Sequence, residues 1–219
     1  MALDIVAAAA GLGIAAGPWL RGLVFAHSVA FHAPLRSRCP QCGYLVVPIA
    51  VRGLATVAPP DGRCPACTRL LGLPAGVVEL LTAVCLAVLA LSAPSAWVLA
   101  AWSWVGLFGV ALALVDAAVH RLPTVLTAAA TGGALVLLTA TAVVTGDYPA
   151  LLRAAGCAVV LSVIYLALVL NDRTALNRGD AQLAPLIGAC LGLDQHLRPF
   201  GPPPSPGSCS PGRSSYPPC

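Results

Sequence analysis

The chain is short of charge: Asp, Glu, Lys and Arg make up only 9% of its 219 residues, against 58% hydrophobic residues. A soluble domain carries about a quarter charged residues. This chain therefore cannot cover its own surface for water, and composition leaves a polytopic membrane protein. Lysine is absent, so all 12 cations are arginine. With abundant Ala and Gly, that bias fits a GC-rich coding background and carries no mechanism. The formal net charge of +4 is spread over loops, which excludes the concentrated basic face that binds nucleic acid. There is no glycine-rich phosphate loop, no nucleotide signature and no evident repeat at a spacing of about 20–50 residues. No Lys or Arg precedes the first apolar run. It lacks the basic n-region of a cleavable signal peptide, and an uncleaved anchor is expected.

What is present is a series of apolar runs. A bilayer core needs about 20 such residues per helix, and candidates fall at 2–20 (or 4–26 if tilted), 77–93, 97–115, 123–145 and 150–170, with a shorter one at 180–194. Arginine placement sets their orientation. With the loop after the first run in the cytoplasm, Arg21, Arg36, Arg38, Arg52, Arg63, Arg69, Arg121, Arg173 and Arg178 all fall inside, and Arg153 alone among the loop and turn arginines falls outside. The N-terminus is then outside. "SAPSAW" (92–97) and "TGDYPA" (145–150) read as short outer turns. Trp97, Trp102 and Trp104 lie toward the outer end of the third span, as in an aromatic belt, although Trp also packs inside bundles.

Nine cysteines would suggest disulfides in a small secreted protein. Here Cys85, Cys157 and Cys190 sit in apolar runs, where a thiol is a small hydrophobe. Cys39, Cys42, Cys64 and Cys67 form two CxxC pairs, "SRCPQCGYLVVP" and "GRCPACTRLLG". Each CxxC turn aims two thiolates at one point, and tetrahedral zinc needs four at about 2.3 Å. The pattern resembles a zinc ribbon. In a reducing cytoplasm metal is favoured over disulfides, with a redox pair or unrelated cysteines as the other readings. Four thiolates leave no open coordination position, so zinc here is structural and folds a loop that cannot build a core alone. The set needs neither His27 nor His32. The expected fold class is an all-α polytopic membrane protein of about six transmembrane helices with a cytoplasmic zinc-ribbon-like loop.

Two acids stand at span ends. Asp116 closes the third span in "ALVDAAVHRLPTVLTAAA", and Asp180 opens the sixth in "LNRGDAQLAPLIGACLG". The alternating topology puts both at the cytoplasmic membrane face. Each alone reads equally well as a solvated helix-end charge balanced by Arg121 or Arg178. Brought together they do more: two adjacent carboxyls cannot both ionise easily, so one keeps a proton. The ionised partner takes a proton from water, and the neutral one polarises a peptide carbonyl. His120, one helical turn after Asp116, can share its face or simply face headgroups. Asp172 reads as loop solvation. Glu79, the sole glutamate, is open between bonding a neighbouring helix and contacting substrate.

"PLRSRCPQCG", "GRCPAC", "VELLTAV", "LVDAAVHRLPTVLT" and "GDAQLAPLIGACLG" follow in order and spacing the type IV prepilin peptidases, a family of intramembrane aspartic proteases that the chain resembles over residues 17–193. The D-x5-LP-x2-LT segment of that family matches Asp116, Leu122, Pro123, Leu126 and Thr127, and its G-x-G-D segment ends at Asp180. The resemblance implies that Asp116 and Asp180 are catalytic and that the leader of a prepilin or pseudopilin precursor is cleaved at the cytoplasmic face of the bacterial inner membrane. It also implies possible N-methylation of the new terminus from S-adenosylmethionine, and pilus or secretion machinery as partners beside membrane lipid. Two positions depart from the pattern: Asn177 stands at the first glycine of G-x-G-D, and Gln182 at the usual lysine. Asn is the non-glycine residue that best tolerates a left-handed backbone, while loss of the cation bears on the proton affinity of the pair. A second reading is a catalytically degenerate zinc-ribbon membrane protein in a pilus or secretion assembly.

The expected organisation is an anchor helix and loop start at 1–33, the four-cysteine loop at 34–74, a transmembrane aspartic peptidase core at 75–194 and a tail at 195–219. The tail, rich in Pro, Ser and Gly, can neither span lipid nor bury a core. Its abrupt change of character is the expected mark of a truncated or frame-shifted C-terminus.

Overall fold

An apolar segment in lipid must satisfy its own backbone N–H and C=O groups, and a helix does so within one segment. The computed structural model describes residues 2–30, 33–74, 76–171 and 178–194. They form six α-helices: α1 (Ala2–His27), α2 (Val77–Ser92), α3 (Ala96–Val119), α4 (Thr124–Thr145), α5 (Tyr148–Asn171) and α6 (Arg178–Asp194). Four of these, α1, α3, α4 and α5, are long and apolar enough to cross a membrane. The other two are shorter. α2 has 16 residues, about 24 Å of helix against a hydrocarbon core of about 30 Å, and the apolar part of α6 is Leu183–Gly192. Asp172, Arg173 and Asn177, along with His32 and the tail, lie outside the described residues.

Local sequence explains where the helices stop. Ser95 caps α3 by accepting from the Val98 N–H at 3.3 Å. His120, in the left-handed region at φ 49°, ends α3, and Pro123 then precedes α4. Gly146, at φ 73°, closes α4. The Asp147 carboxylate accepts from the Ala150 N–H at 3.1 Å in the first turn of α5.

Sequential helices run antiparallel. Small residues set the two tightest crossings: a Cβ on Gly13 would come within 2.7 Å of the Ala83 backbone, and one on Gly188 within 2.5 Å of the Cys157 carbonyl oxygen. Gly17 faces Glu79 and Gly192 faces Ala154, so each crossing places small residues four apart against its partner helix, a device of membrane helix packing. The core between α1, α3, α4 and α6 holds Leu20, Leu23, Phe108, Val115, Leu126 and Leu186. Trp104 packs inward on Phe108, at 4.9 Å between ring centroids, and donates to the Ala129 carbonyl at 3.3 Å. It belongs to the bundle, whereas Trp97 is exposed. Leu80, Leu91, Val136, Leu152 and Leu170 point outward, an apolar surface of the kind lipid covers.

Helix α1 divides into two halves. Leu3, Ile5, Leu12 and Ile14 are exposed, whereas Leu20, Leu23, Phe25 and Ala26 are buried. The difference is the cysteine loop, which lies along the second half. The Trp19 indole donates to the Leu54 carbonyl at 2.8 Å, the Ala58 N–H to the Pro18 carbonyl at 3.0 Å, and His27 Nε2 to the Gly53 carbonyl at 3.3 Å. This cover carries α1 on to His27, which fits the longer reading of the first run, 4–26, rather than 2–20.

Candidate functional site

Each CxxC sits in a tight turn closed by its own backbone. The Cys39 N–H donates to the Tyr44 carbonyl at 2.8 Å and the Gly43 N–H to the Cys39 carbonyl at 3.0 Å; the Cys64 N–H donates to Arg69 and the Thr68 N–H to Cys64, both at 2.8 Å. Arg38 caps the first turn through the Gly43 carbonyl at 3.1 Å, and Arg63 caps the second through the Thr68 carbonyl at 3.1 Å. The two turns are a small internal duplication at an offset of 25 residues, which corrects the expectation that no repeat exists at such a spacing: Arg38, Cys39, Pro40, Cys42 and Leu45 recur as Arg63, Cys64, Pro65, Cys67 and Leu70. The pairing Arg38 to Leu45 likewise recurs as Arg63 to Leu70.

Facing each other, the turns bring Cys39, Cys42, Cys64 and Cys67 together with all four sulfurs within 4.8 Å of one another. Cys39 and Cys67 are 3.7 Å apart, and Cys42 and Cys64 are 3.6 Å apart. A tetrahedron of sulfurs about 2.3 Å from a central ion has edges of about 3.8 Å, so the spacing suits a metal ion. Backbone N–H groups of Cys42 and Gln41 aimed at the Cys39 sulfur lower that thiol to about 6. Cys42 is pushed up to about 12: the Tyr44 N–H lowers it, but desolvation and the neighbouring thiols prevail. Cys42 therefore resists losing its proton until a cation joins the cluster.

The loop is anchored to α1 and α2 by charge. Arg21, 3% exposed, donates to both oxygens of Glu79 at 2.6 and 2.7 Å and to the Pro60 carbonyl at 2.9 Å. Glu79 in turn accepts from the Gly76 N–H at 3.0 Å, capping α2. Of the two roles open to this glutamate, the bond to a neighbouring helix is the one observed.

Asp116 lies in the last turn of α3, at the loop end of the bundle. It is exposed, and among the described residues its carboxylate has no hydrogen-bond or ion-pair partner. It lines a cavity of about 720 Å³ between α2, α3 and α6, whose walls include Cys85, Gly109, Leu122, Leu183 and Cys190. Asp180 falls in the first turn of α6, one turn before Leu183; its side chain and that of Gln182 lie outside the described residues. Because α6 runs antiparallel to α5, and Leu186 packs with Leu112 and Val115, the first turn of α6 and the last turn of α3 share the loop end. His120 is exposed and ends α3, its N–H donating to the Asp116 carbonyl at 2.7 Å.

Among known protein families, curated proteins and solved structures, none matches the chain.

Proposed function

We propose that the chain is an intramembrane aspartic endopeptidase that removes the leader of type IV pilin-like precursors at the cytoplasmic face of a bacterial inner membrane. The observation that carries this reading is the apolar cavity holding Asp116, to which Leu183 brings α6 within one helical turn of Asp180. A peptide entering from the loop end would meet both acids where the membrane gives way to water. One carboxylate takes a proton from water as it attacks the peptide carbonyl. The other, protonated, donates to the carbonyl oxygen, and the departing amine collects a proton as the bond breaks. The pair titrates as a unit.

The four cysteines hold a structural zinc in this proposal, which fits their crowding and leaves no open position for chemistry. The loop they fold rests on α1 beside the cavity and supports the substrate approach. S-adenosylmethionine enters only if methyl transfer accompanies cleavage. The test is prepilin processing in membranes containing the wild type, Asp116→Ala or Asp180→Ala. Processing by the wild type and by neither variant supports the peptidase. Equal processing by all three favours the second reading, a zinc-ribbon scaffold in a pilus or secretion assembly, which draws on Asn177 and Gln182 at the motif positions.

A further inference from the structure

On the face of α3 opposite Asp116 lies a second cavity, of about 600 Å³, between α1, the cysteine turns and the last turn of α3. Its chemistry divides in two. Leu73, Val78, Leu114, Ala117 and Ala118 make one side apolar, while Arg21, Arg36 and Arg69 border it with positive charge. No Asp or Glu lines it among the described residues. Glu79 neutralises Arg21 from behind, so an excess of positive charge remains at Arg36 and Arg69.

Two polar atoms in this wall are buried without a partner: Nε of Arg21 and Oγ of Ser28. Buried donors are rarely left without a partner, because each forfeits its bonds to water on burial. Arg21 as a residue is 3% exposed, and its other nitrogens are occupied by Glu79 and Pro60, so its remaining N–H is directed by packing rather than free to seek water. Arg36 stands with its guanidinium 5.6 Å from the Phe25 ring centre, which holds it while leaving its N–H groups without an acceptor among the described residues. Arg69 uses one nitrogen on Gln41, at 2.8 Å, and has others to offer.

We infer that this cavity binds the phosphodiester headgroup of an anionic membrane lipid. The phosphate sits between Arg36 and Arg69, the buried Arg21 Nε and Ser28 hydroxyl turning toward it as it binds, and the glycerol and first acyl carbons lie against the Leu114–Ala118 side. The apolar wall is what selects a lipid over a free phosphate ion. The cavity also lies beside the buried ion pair where α1 and α2 leave the crossing, at the end of α3 where apolar helix gives way to arginine-bearing loop. Basic pockets at that depth are where anionic headgroups are held. The inference does not depend on peptidase activity, since Asp116 faces away.

The experiment uses the full-length protein purified in a neutral maltoside detergent. Native mass spectrometry reads the apparent affinity for phosphatidylglycerol and phosphatidylcholine. The wild type should prefer phosphatidylglycerol by about tenfold or more. Arg36→Gln with Arg69→Gln should weaken it roughly thirtyfold, while Arg153→Gln, on an exposed position of α5, leaves it unchanged. Ser28→Ala, which keeps every arginine, should weaken it severalfold and carries the test should the double variant not fold. Equal affinity for the two lipids, or unchanged affinity in the double variant, would overturn the proposal. Full displacement of the lipid by millimolar inorganic phosphate would also overturn it, marking an ion site instead.

Discussion

Arg21 Nη2 donates to both carboxylate oxygens of Glu79, at 2.6 and 2.7 Å, between side chains that are 4% and 16% exposed. With Nη1 on Pro60, this joins α1, α2 and the cysteine loop at one point. A buried pair is expensive to desolvate and adds little net stability over an apolar pair, but removing one partner strands the other charge. Glu79→Leu should therefore destabilise by about 3–5 kcal/mol, and Arg21→Met with Glu79→Leu should recover part of that loss. Denaturant titration in detergent measures both. A double variant no more stable than Glu79→Leu alone would mean the pair matters through some other contact.

The duplicated cysteine turns share a left-handed backbone position that different residues fill. Gly43 has φ 71° and the equivalent Thr68 has φ 56°. The left-handed region costs a β-branched residue about 1–2 kcal/mol, partly offset because glycine loses more freedom on folding. Thr68→Gly should steady the second turn and slow metal release to a chelator about threefold. Gly43→Thr should speed it. Release rates that move together in the two variants would remove backbone strain as the cause.

A metal ion held by these four cysteines would compete with protons. Cys39, held down to about 6, would bind with little proton release at neutral pH, while Cys42, pushed up to about 12, would have to surrender its proton to the metal. Affinity for zinc should fall as pH falls. The fall should steepen by one proton once pH passes below about 6, where Cys39 also protonates. Chelator competition between about pH 5 and 8 reads the slope, and an affinity flat over that range would exclude thiolate ligation.

Much of this architecture was legible in the residues because its signals are local. Apolar runs bounded by Ser95, Pro123 and Gly146 fix helices to within a few residues, and the CxxC spacing brings four sulfurs to one place. The outcome differs where tertiary contact decides. α1 continues to His27, as the longer of its two readings allowed, and the loop that covers its second half decides between them. Trp104 packs inward because Ala129 and Phe108 receive it. Glu79 had two open roles until Arg21 was placed beside it. Of the about six helices expected, the sixth already the shortest, all six form, and four are long and apolar enough to cross a membrane, while α2 and α6 are shorter. The duplicated turn was readable too, since Arg38–Leu45 recurs as Arg63–Leu70, but the repeated unit is only a few residues long and confined to one loop. For the acids, sequence indicated which end of the bundle each occupies, and the structure adds that Asp116 opens on a cavity shared with α6.

That cavity allows a test that separates cleavage from folding. Gly109 lines it together with Asp116, and a Cβ on Gly109 would meet nothing within 4 Å. A leucine there would extend into the space a peptide must occupy without striking a neighbouring helix. Leucine also favours the helix over glycine by about 0.5–1 kcal/mol. Gly109→Leu should thus unfold no more easily than the wild type while prepilin processing drops, by about tenfold if the side chain fills the entry to Asp116. Gly188→Val serves as the contrast: its Cβ meets the Cys157 carbonyl, so α6 is forced off α5 and stability and processing should fall together. Processing by Gly109→Leu at the wild-type rate would show that the substrate does not pass through this cavity, whatever chemistry Asp116 performs.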